Sequence, residues 1–142
     1  MSTLFSALNA SASALDAQRM RMEVAVSNLA NAESTRGADG QPYRRRGVVL
    51  SAQPTEGFDA MLERAGAVGV QVREIVEDQT PFRQRFEPSH PDANPEGFVA
   101  LPNVDVPEEM IDMLGAARAY QANLTAIGLI RDTMQRALDL GK

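Results

Sequence analysis

Apolar residues recur every seven positions near both ends of the chain. In residues 3–32 and 107–140 they lie alternately three and four positions apart, which is the spacing of one face of an α-helix. A single arginine interrupts each series, Arg19 in the first and Arg131 in the second. The pattern predicts two long helices that pack along this apolar seam, which is formed by Phe5, Leu8, Leu15, Met22, Val26, Leu29, Met110, Met113, Tyr120, Leu124, Ile127 and Met134.

The second of these helices has a recognisable start. Asp105 can accept hydrogen bonds from the first free backbone N–H groups, and Pro107 suits the first turn of a helix. Glu108 stands three residues after Asp105 and completes a capping box. The helix is expected to stop before Gly141.

The stretch between the helices, residues 33–104, has a different pattern. It contains most of the prolines and glycines, and short alternating or β-branched runs lie between them. The segment 57–66 could form one helical turn or two. The runs predict four short strands, at 43–52, 69–76, 81–86 and 97–101.

Together these patterns predict a mainly α fold. The two long terminal helices would form an antiparallel coiled-coil-like hairpin, because a helix that enters the middle stretch and one that leaves it return alongside each other. Residues 1–32 and 105–142 would make the helical core, and residues 33–104 a small, irregular β-rich insert with extended loops.

Away from the seam, the two helices carry few charged residues. The off-seam positions of the first helix are mostly Ala, Ser and Asn, and Arg118 is the only charged residue between Met113 and Ile130. A water-facing helix normally carries charged residues opposite its apolar stripe. These helices are therefore expected to be buried among other helices. Since a lone two-helix hairpin buries little apolar surface, other copies or related chains should supply the rest.

Asn28 and Asn31 lie off the seam, where the first helix finishes. Amide side chains at such positions can bond a neighbouring helix, which would give both residues a role in assembly. The alternative is local, with Asn31 capping the end of the helix and Asn28 exposed to solvent. The sequence leaves both interpretations open.

Composition narrows the possible classes of function. The chain of 142 residues has 14 basic and 19 acidic side chains and a formal net charge of −5, which argues against binding to nucleic acid or to an anionic membrane. It contains no cysteine, which excludes thiolate metal sites and cysteine nucleophiles. No segment is apolar for long enough to span a membrane, and the first residues lack the pattern of a cleavable secretory signal.

The residues that could carry chemistry have simpler interpretations. His90, the only histidine, lies near Asp92 and Glu96 among prolines, which favours a rigid turn over a metal site. Residues 44–46 are three arginines that would alternate between the faces of a strand, and they favour a solvated or partner-facing strand. Acidic residues at the start of the second helix complement its dipole. We therefore predict no catalytic residues, no metal ion and no cofactor.

Three stretches of the chain resemble a known family. The segment "VSNLANAESTRG" (26–37) is similar to the signature of the flagellar axial proteins, the rod, hook and hook-associated subunits of bacteria, and the similarity continues through 90–127 and 134–142. It covers nearly the whole chain and is weakest at 53–67. The resemblance implies a structural subunit of the proximal rod of the flagellar basal body. Such a subunit assembles helically with itself and related subunits into a hollow shaft that crosses the periplasm.

The resemblance also implies partners and positions. The partners would be other rod subunits, neighbouring basal-body ring and rod-junction proteins, and the flagellar export apparatus, which would export the chain without a cleaved signal peptide. The alternative function is a soluble helical adaptor or export chaperone that binds a partner peptide. The positions that the resemblance assigns to assembly are Asn28, Asn31, Gln121 and Asn123, together with Leu29, Met113 and Tyr120 of the seam.

Overall fold

The computed structural model of the chain describes residues 2–37, 39–52 and 68–139. Two long helices, α1 (Ser2–Ala30) and α2 (Val106–Asp139), flank four strands. The strands are β1 (Arg46–Ala52), β2 (Val70–Glu77), β3 (Arg83–Phe86) and β4 (Phe98–Leu101). Both helices and all four strands lie where the sequence predicts them, within a few residues. The helical turn expected at 57–66 and the stop at Gly141 lie outside the described residues.

The strands form two separate two-stranded antiparallel sheets, β1 with β2 and β3 with β4. In the second sheet Arg83 pairs with Leu101 and Phe86 with Phe98. The rings of Phe86 and Phe98 meet edge to face, with centroids 5.3 Å apart. Gly97 precedes β4 with a φ of 85°, a conformation that favours glycine, and closes the loop that joins the two strands.

The expected fold class was wrong. The described residues are 51% helix and 19% strand, an α + β composition, because the extended runs of the middle stretch pair into regular sheets rather than an irregular insert. Several large side chains of the predicted seam are exposed in the single chain. Val26 and Met110, which the repeat places in the seam, are 53% and 54% exposed. The buried side chains of α1 are instead small ones, at Ala17, Ala25, Asn28 and Ala32.

The chain divides into two compact units. Unit 1 contains the described parts of Met1–Met20, Val49–Glu74 and Gly115–Lys142. Its buried side chains include Ala17 and Ala116, and the Val70 N–H donates to Ser13 Oγ over 3.0 Å. These contacts join α1 to β2 within this unit.

Unit 2 contains Arg21–Val48 and Ile75–Leu114. Its apolar core is built by β4 and the segment that follows it, through Val99, Leu101, Pro102 and Val104, together with Ala25 and Ala32. Two polar side chains, those of Asn28 and Glu109, are buried in the same unit. A buried polar group is costly unless it is hydrogen-bonded, so the partners of these two residues decide how unit 2 is held together.

Side chains form hydrogen bonds at the start of α2 and at the end of α1. Asp105 Oδ1 accepts a hydrogen bond from the Glu108 N–H over 3.1 Å, which confirms the predicted N-cap. At the end of α1, Asn31 Nδ2 donates to the carbonyl of Ser27 over 2.8 Å. The same carbonyl accepts from the Asn31 N–H over 3.2 Å, so Asn31 bonds it through both backbone and side chain.

Candidate functional site

The amide of Asn28 uses all of its hydrogen-bonding positions within the chain. Its Nδ2 donates to the carbonyl of Arg46 over 2.8 Å and to Glu109 Oε2 over 2.9 Å. Its Oδ1 accepts from the hydroxyl of Tyr43 and from the backbone N–H of Arg46, both over 2.9 Å. An asparagine amide has two N–H donors and two lone pairs. With Asn28 only 1% exposed, its amide has nothing left to offer a neighbouring subunit.

Glu109 joins the first turn of α2 to the same cluster. Its Oε2 accepts from Asn28, and its Oε1 accepts from Arg45 Nε over 2.6 Å. The Glu109 side chain is 2% exposed, so the carboxylate depends on these two donors in place of water. The acidic residues at the start of α2 therefore do more than complement the helix dipole, because Glu109 is a buried partner of α1 and of the segment before β1.

Glu109 stabilises the charged form of Arg45. Burial alone would lower the pKa of Arg45, but the hydrogen bond and the charge of Glu109 outweigh burial and raise that pKa above its ordinary value. The guanidinium also lies 3.8 Å from carboxylate oxygens of Asp78 and Asp112. The pair of Arg45 and Glu109 is thus a charge-assisted link with a short hydrogen bond.

Asn103 and Asp78 fix the backbone around Arg45. The Arg45 N–H donates to Asn103 Oδ1 and its carbonyl accepts from the Asp78 N–H, each over 2.8 Å. Asn103 Nδ2 in turn donates to Thr80 Oγ1 over 2.8 Å. Asp78 Oδ1 accepts from the Thr80 N–H over 2.9 Å, and the backbone and hydroxyl bonds from Thr80 lower the pKa of Asp78.

The two arginines beside Arg45 also have partners inside unit 2. The Arg44 guanidinium carbon lies 4.3 Å from the centroid of the Phe82 ring, and that of Arg46 lies 5.6 Å from the centroid of Tyr43. Arg46 also lies 3.5 Å from Glu77. Each of the three arginines therefore contacts a partner within the chain, while the side chain of Arg46 is still 49% exposed.

A hydrogen bond and an ion pair hold the segment after α1 to the loop between β3 and β4. Thr35 Oγ1 donates to Asp92 Oδ2 over 2.8 Å, and Arg36 lies 3.1 Å from Asp92 Oδ1. His90 Nδ1 accepts from the Asp92 N–H over 3.1 Å, so the ring of this histidine is part of the turn that presents Asp92. Arg85 contributes an ion pair with Glu33 over 3.2 Å.

A small pocket lies beside the cluster in unit 2. Its volume is about 40 Å³, enough for water molecules and far below the size of a small-molecule site. Among the described residues, no group of three His, Cys, Asp or Glu side chains could hold a metal ion. Neither described helix has an apolar segment long enough to cross a membrane. The pocket is lined by Arg21, Val24, Ala25, Arg45, Arg46, Gly47, Val48, Glu109 and Asp112.

The other residues that the sequence assigned to packing or assembly lie at or near the surface. Phe5, Val26, Met110 and Leu124 are exposed, and the remaining seam residues are partly exposed. Gln121 is exposed, and Asn123 Nδ2 donates along its own helix to the carbonyl of Ala119 over 2.8 Å. The partly exposed seam residues are Leu8, Leu15, Met22, Leu29, Met113, Tyr120, Ile127 and Met134.

Sequence reasoning missed the partners of Asn28. Tyr43, Arg46 and Glu109 stand 15, 18 and 81 positions from Asn28, at spacings that no local pattern connects. One signal was available: three consecutive arginines and a group of acidic residues on a helix are natural ion-pair partners. The arrangement itself only binds and orients segments of this chain. The described cluster holds donors and acceptors that are already paired with each other.

Comparison with known proteins identifies two matching families and a set of full-length relatives. Residues 6–38 match the family "Flagella basal body rod protein", and residues 96–140 match "Flagellar basal body rod FlgEFG protein C-terminal". The chain is 44% identical to the flagellar basal-body rod protein FlgC of Bacillus subtilis (strain 168), over 99% of each chain. It is 42% identical to FlgC of Escherichia coli O6:H1, over 92% of each chain. It is 40% identical to FlgC of Aquifex aeolicus, over the full length of both.

Proposed function

The chain belongs to the family of flagellar basal-body rod proteins FlgC, and from this premise we infer that it is a subunit of the proximal rod that assembles helically with itself and with related rod subunits. It is a structural component of the flagellar basal-body rod and not an enzyme. Its assembly partners include other rod and basal-body components.

One observation supports assembly above the others. Large apolar side chains lie exposed along both helices, although soluble monomers rarely expose contiguous apolar surface. Their neighbours along the helices are mostly small, which allows other helices to approach closely. A shaft built of packed subunits would cover this surface. The exposed residues on the helices include Phe5, Val26, Met110, Ile111, Leu114, Leu124, Leu129 and Leu138.

We also propose where the rod lies and by which route the chain is exported. The rod would form part of a hollow shaft in the periplasm, next to basal-body ring and rod-junction proteins. The chain would reach this place through the flagellar export apparatus, without cleavage of a signal peptide. Mass spectrometry of the protein recovered from purified basal bodies would test this route. Loss of an N-terminal segment of 15 or more residues, the shortest length of a signal peptide, would contradict it.

A labelled loop tests the location directly. Residues Asp39, Gly40 and Gln41 are exposed, and Gly40 has a φ of 79° in an open turn, so a short epitope inserted after Gly40 should leave unit 2 intact. Gold-labelled antibody should then mark the rod of purified basal bodies in electron micrographs. Label confined to the cytoplasmic export machinery, or a closed complex with a single partner peptide in solution, would favour the adaptor or chaperone instead.

A further inference from the structure

The first turns of α2 bury one acidic side chain and leave large apolar side chains exposed. Glu109 is buried, and Asp112 lies 3.8 Å from both Arg21 and Arg45. The opposite face carries apolar side chains that are exposed in the chain, the largest fraction being 71% at Ile111. We call this face the outer patch, and it consists of Val106, Met110, Ile111 and Leu114. These exposed apolar side chains leave an apolar surface for an occupant.

The charge around the outer patch restricts the occupant. Glu108 is exposed and lies one turn before Ile111 on the helix surface. From Asp105 to Ala117 the chain has four acidic residues and no basic one. An occupant that buries the patch should therefore bring apolar side chains with a positive charge beside them.

The second half of α2 presents a surface of that kind. We call it the arginine stripe, and it runs along one helix face at spacings of three and four residues. All of its residues are exposed, and nothing lies within 4 Å of a Cβ built at Gly128, so a facing helix could approach the backbone closely there. The stripe consists of Leu124, Gly128, Arg131, Gln135 and Leu138.

We propose that the arginine stripe of one copy of this chain packs on the outer patch of a second copy, with Arg131 facing Glu108. The apolar side chains cover each other, and the arginine meets the exposed carboxylate. The proposal rests on the proposed function and names the surfaces through which copies meet. It also gives Arg131 a role, since this arginine interrupts an otherwise apolar series in the sequence.

The two surfaces differ, so each contact leaves one stripe and one patch open for further copies. Contacts of this heterologous kind produce rings or open helical assemblies, whereas a contact between identical patches stops at a dimer. The contact therefore has the symmetry that a rod requires. Each added copy would bury one outer patch and expose the next.

Charge reversal tests the contact in the purified full-length chain. Sedimentation velocity over a range of concentrations would compare Arg131→Glu, Glu108→Arg and the double variant with the unchanged chain. Each single variant should weaken self-association about tenfold or more, since like charges then face each other, and the double variant should restore it. Arg136→Glu, an exposed arginine outside the stripe, is the matched control and should associate normally. Equal association of all variants, or no recovery in the double variant, would overturn the proposal.

Gly128→Leu tests the close approach separately from charge. A Cβ at Gly128 meets nothing within 4 Å in the single chain and the position is exposed, so thermal unfolding should show an intact fold while self-association falls. Unchanged self-association of Gly128→Leu would overturn the proposed contact. Recovery of the Arg131→Glu chain in purified basal bodies distinguishes this outcome from failure of the proposed function. If the variant self-associates normally and enters the rod, the function stands and the contact is wrong. If even the unchanged chain is missing from basal bodies, the function itself fails.

Discussion

Glu109 and Arg45 stand 64 positions apart in the sequence, and their side chains meet over 2.6 Å between Oε1 and Nε. The contact ties the first turn of α2 to the segment that enters β1. Asn28 donates to the other oxygen of the same carboxylate, so the buried side chain of Glu109 also binds the end of α1. Three segments that are distant in the sequence thus converge on a single charged group.

Glu109→Gln should lower the free energy of unfolding by about 1–3 kcal/mol. The substitution keeps the shape of the side chain but leaves the Arg45 guanidinium without its closest carboxylate, and losing one member of a largely buried pair is costly. Urea unfolding followed by circular dichroism would measure the change. Glu108→Gln, on the exposed neighbour, should change the stability by less than about 0.5 kcal/mol. Combining Glu109→Gln with Arg45→Met should cost less than the sum of the two single changes. Additive effects would show that the pair is not coupled.

Asn28→Asp should destabilise unit 2 more than any change at Asn31. An aspartate accepts from Tyr43 and Arg46 but has no N–H to donate, and it places a second carboxylate beside Glu109. The expected loss is about 2–4 kcal/mol. The Arg46 amide, which donates to Asn28 Oδ1, should exchange its hydrogen markedly faster in this variant. Asn31→Ala removes one bond at the end of α1 and should cost about 1 kcal/mol or less. Equal losses at both positions would contradict the central place of Asn28.

Gly97→Ala should destabilise the loop between β3 and β4 through both conformation and space. The φ of 85° disfavours any side chain, and a Cβ at this position would lie 2.9 Å from Phe86 Cε2 and 3.2 Å from Pro88 Cβ. The expected cost is about 2–3 kcal/mol. Gly40→Ala is the control, because Gly40 has a φ of 79° but nothing within 4 Å of a Cβ. It should cost only the conformational part, about 1–2 kcal/mol. A larger loss at Gly40 than at Gly97 would show that the contact with Phe86 does not matter.

Asp78 should contribute stability that disappears in acid. Hydrogen bonds from the backbone and the hydroxyl of Thr80 hold the pKa of Asp78 below its ordinary value of 3.8. A group whose pKa is lowered by folding stabilises the folded state above the pKa of the unfolded chain, and this contribution is lost as the pH falls through the folded pKa. The difference in unfolding free energy between the unchanged chain and Asp78→Asn should therefore be full at pH 6 and smaller at pH 2.5. A difference that grows towards acid would contradict the assignment.

Helix boundaries and strand positions follow from local patterns, and the sequence contains enough of these to place every described element. The cap at Asp105 is an example, because its partner is the Glu108 N–H only three residues away. Local patterns do not predict in the same way which side chains are buried. The heptad repeat draws attention to large side chains such as Val26 and Met110, whereas the chain buries small ones and leaves these exposed. Periodicity identifies apolar side chains that lie on one face of a helix. It does not show whether that face is buried by the same chain or by another one.

The polar cluster could be predicted only in part for a similar reason. Asn28 stood out because asparagine is a poor helix former, and the sequence suggested a bond to another helix. The structure shows a bond of this kind within the chain, to Glu109 on α2. Whether Asn28 bonds a helix of its own chain or of another chain depends on how the segments between residues 28 and 109 fold. The spacing of residues along one helix does not show this.

The Asn28 amide also sets an order of events during synthesis of the chain. A ribosome that has reached residue 100 has already made Asn28 and Tyr43, but the carboxylate that accepts from Asn28 comes 81 positions after it. Until Glu109 has been added, a folded end of α1 would have to leave an amide donor and the Arg45 guanidinium without this partner. Unit 2 therefore closes around Asn28 only after most of the chain has been translated.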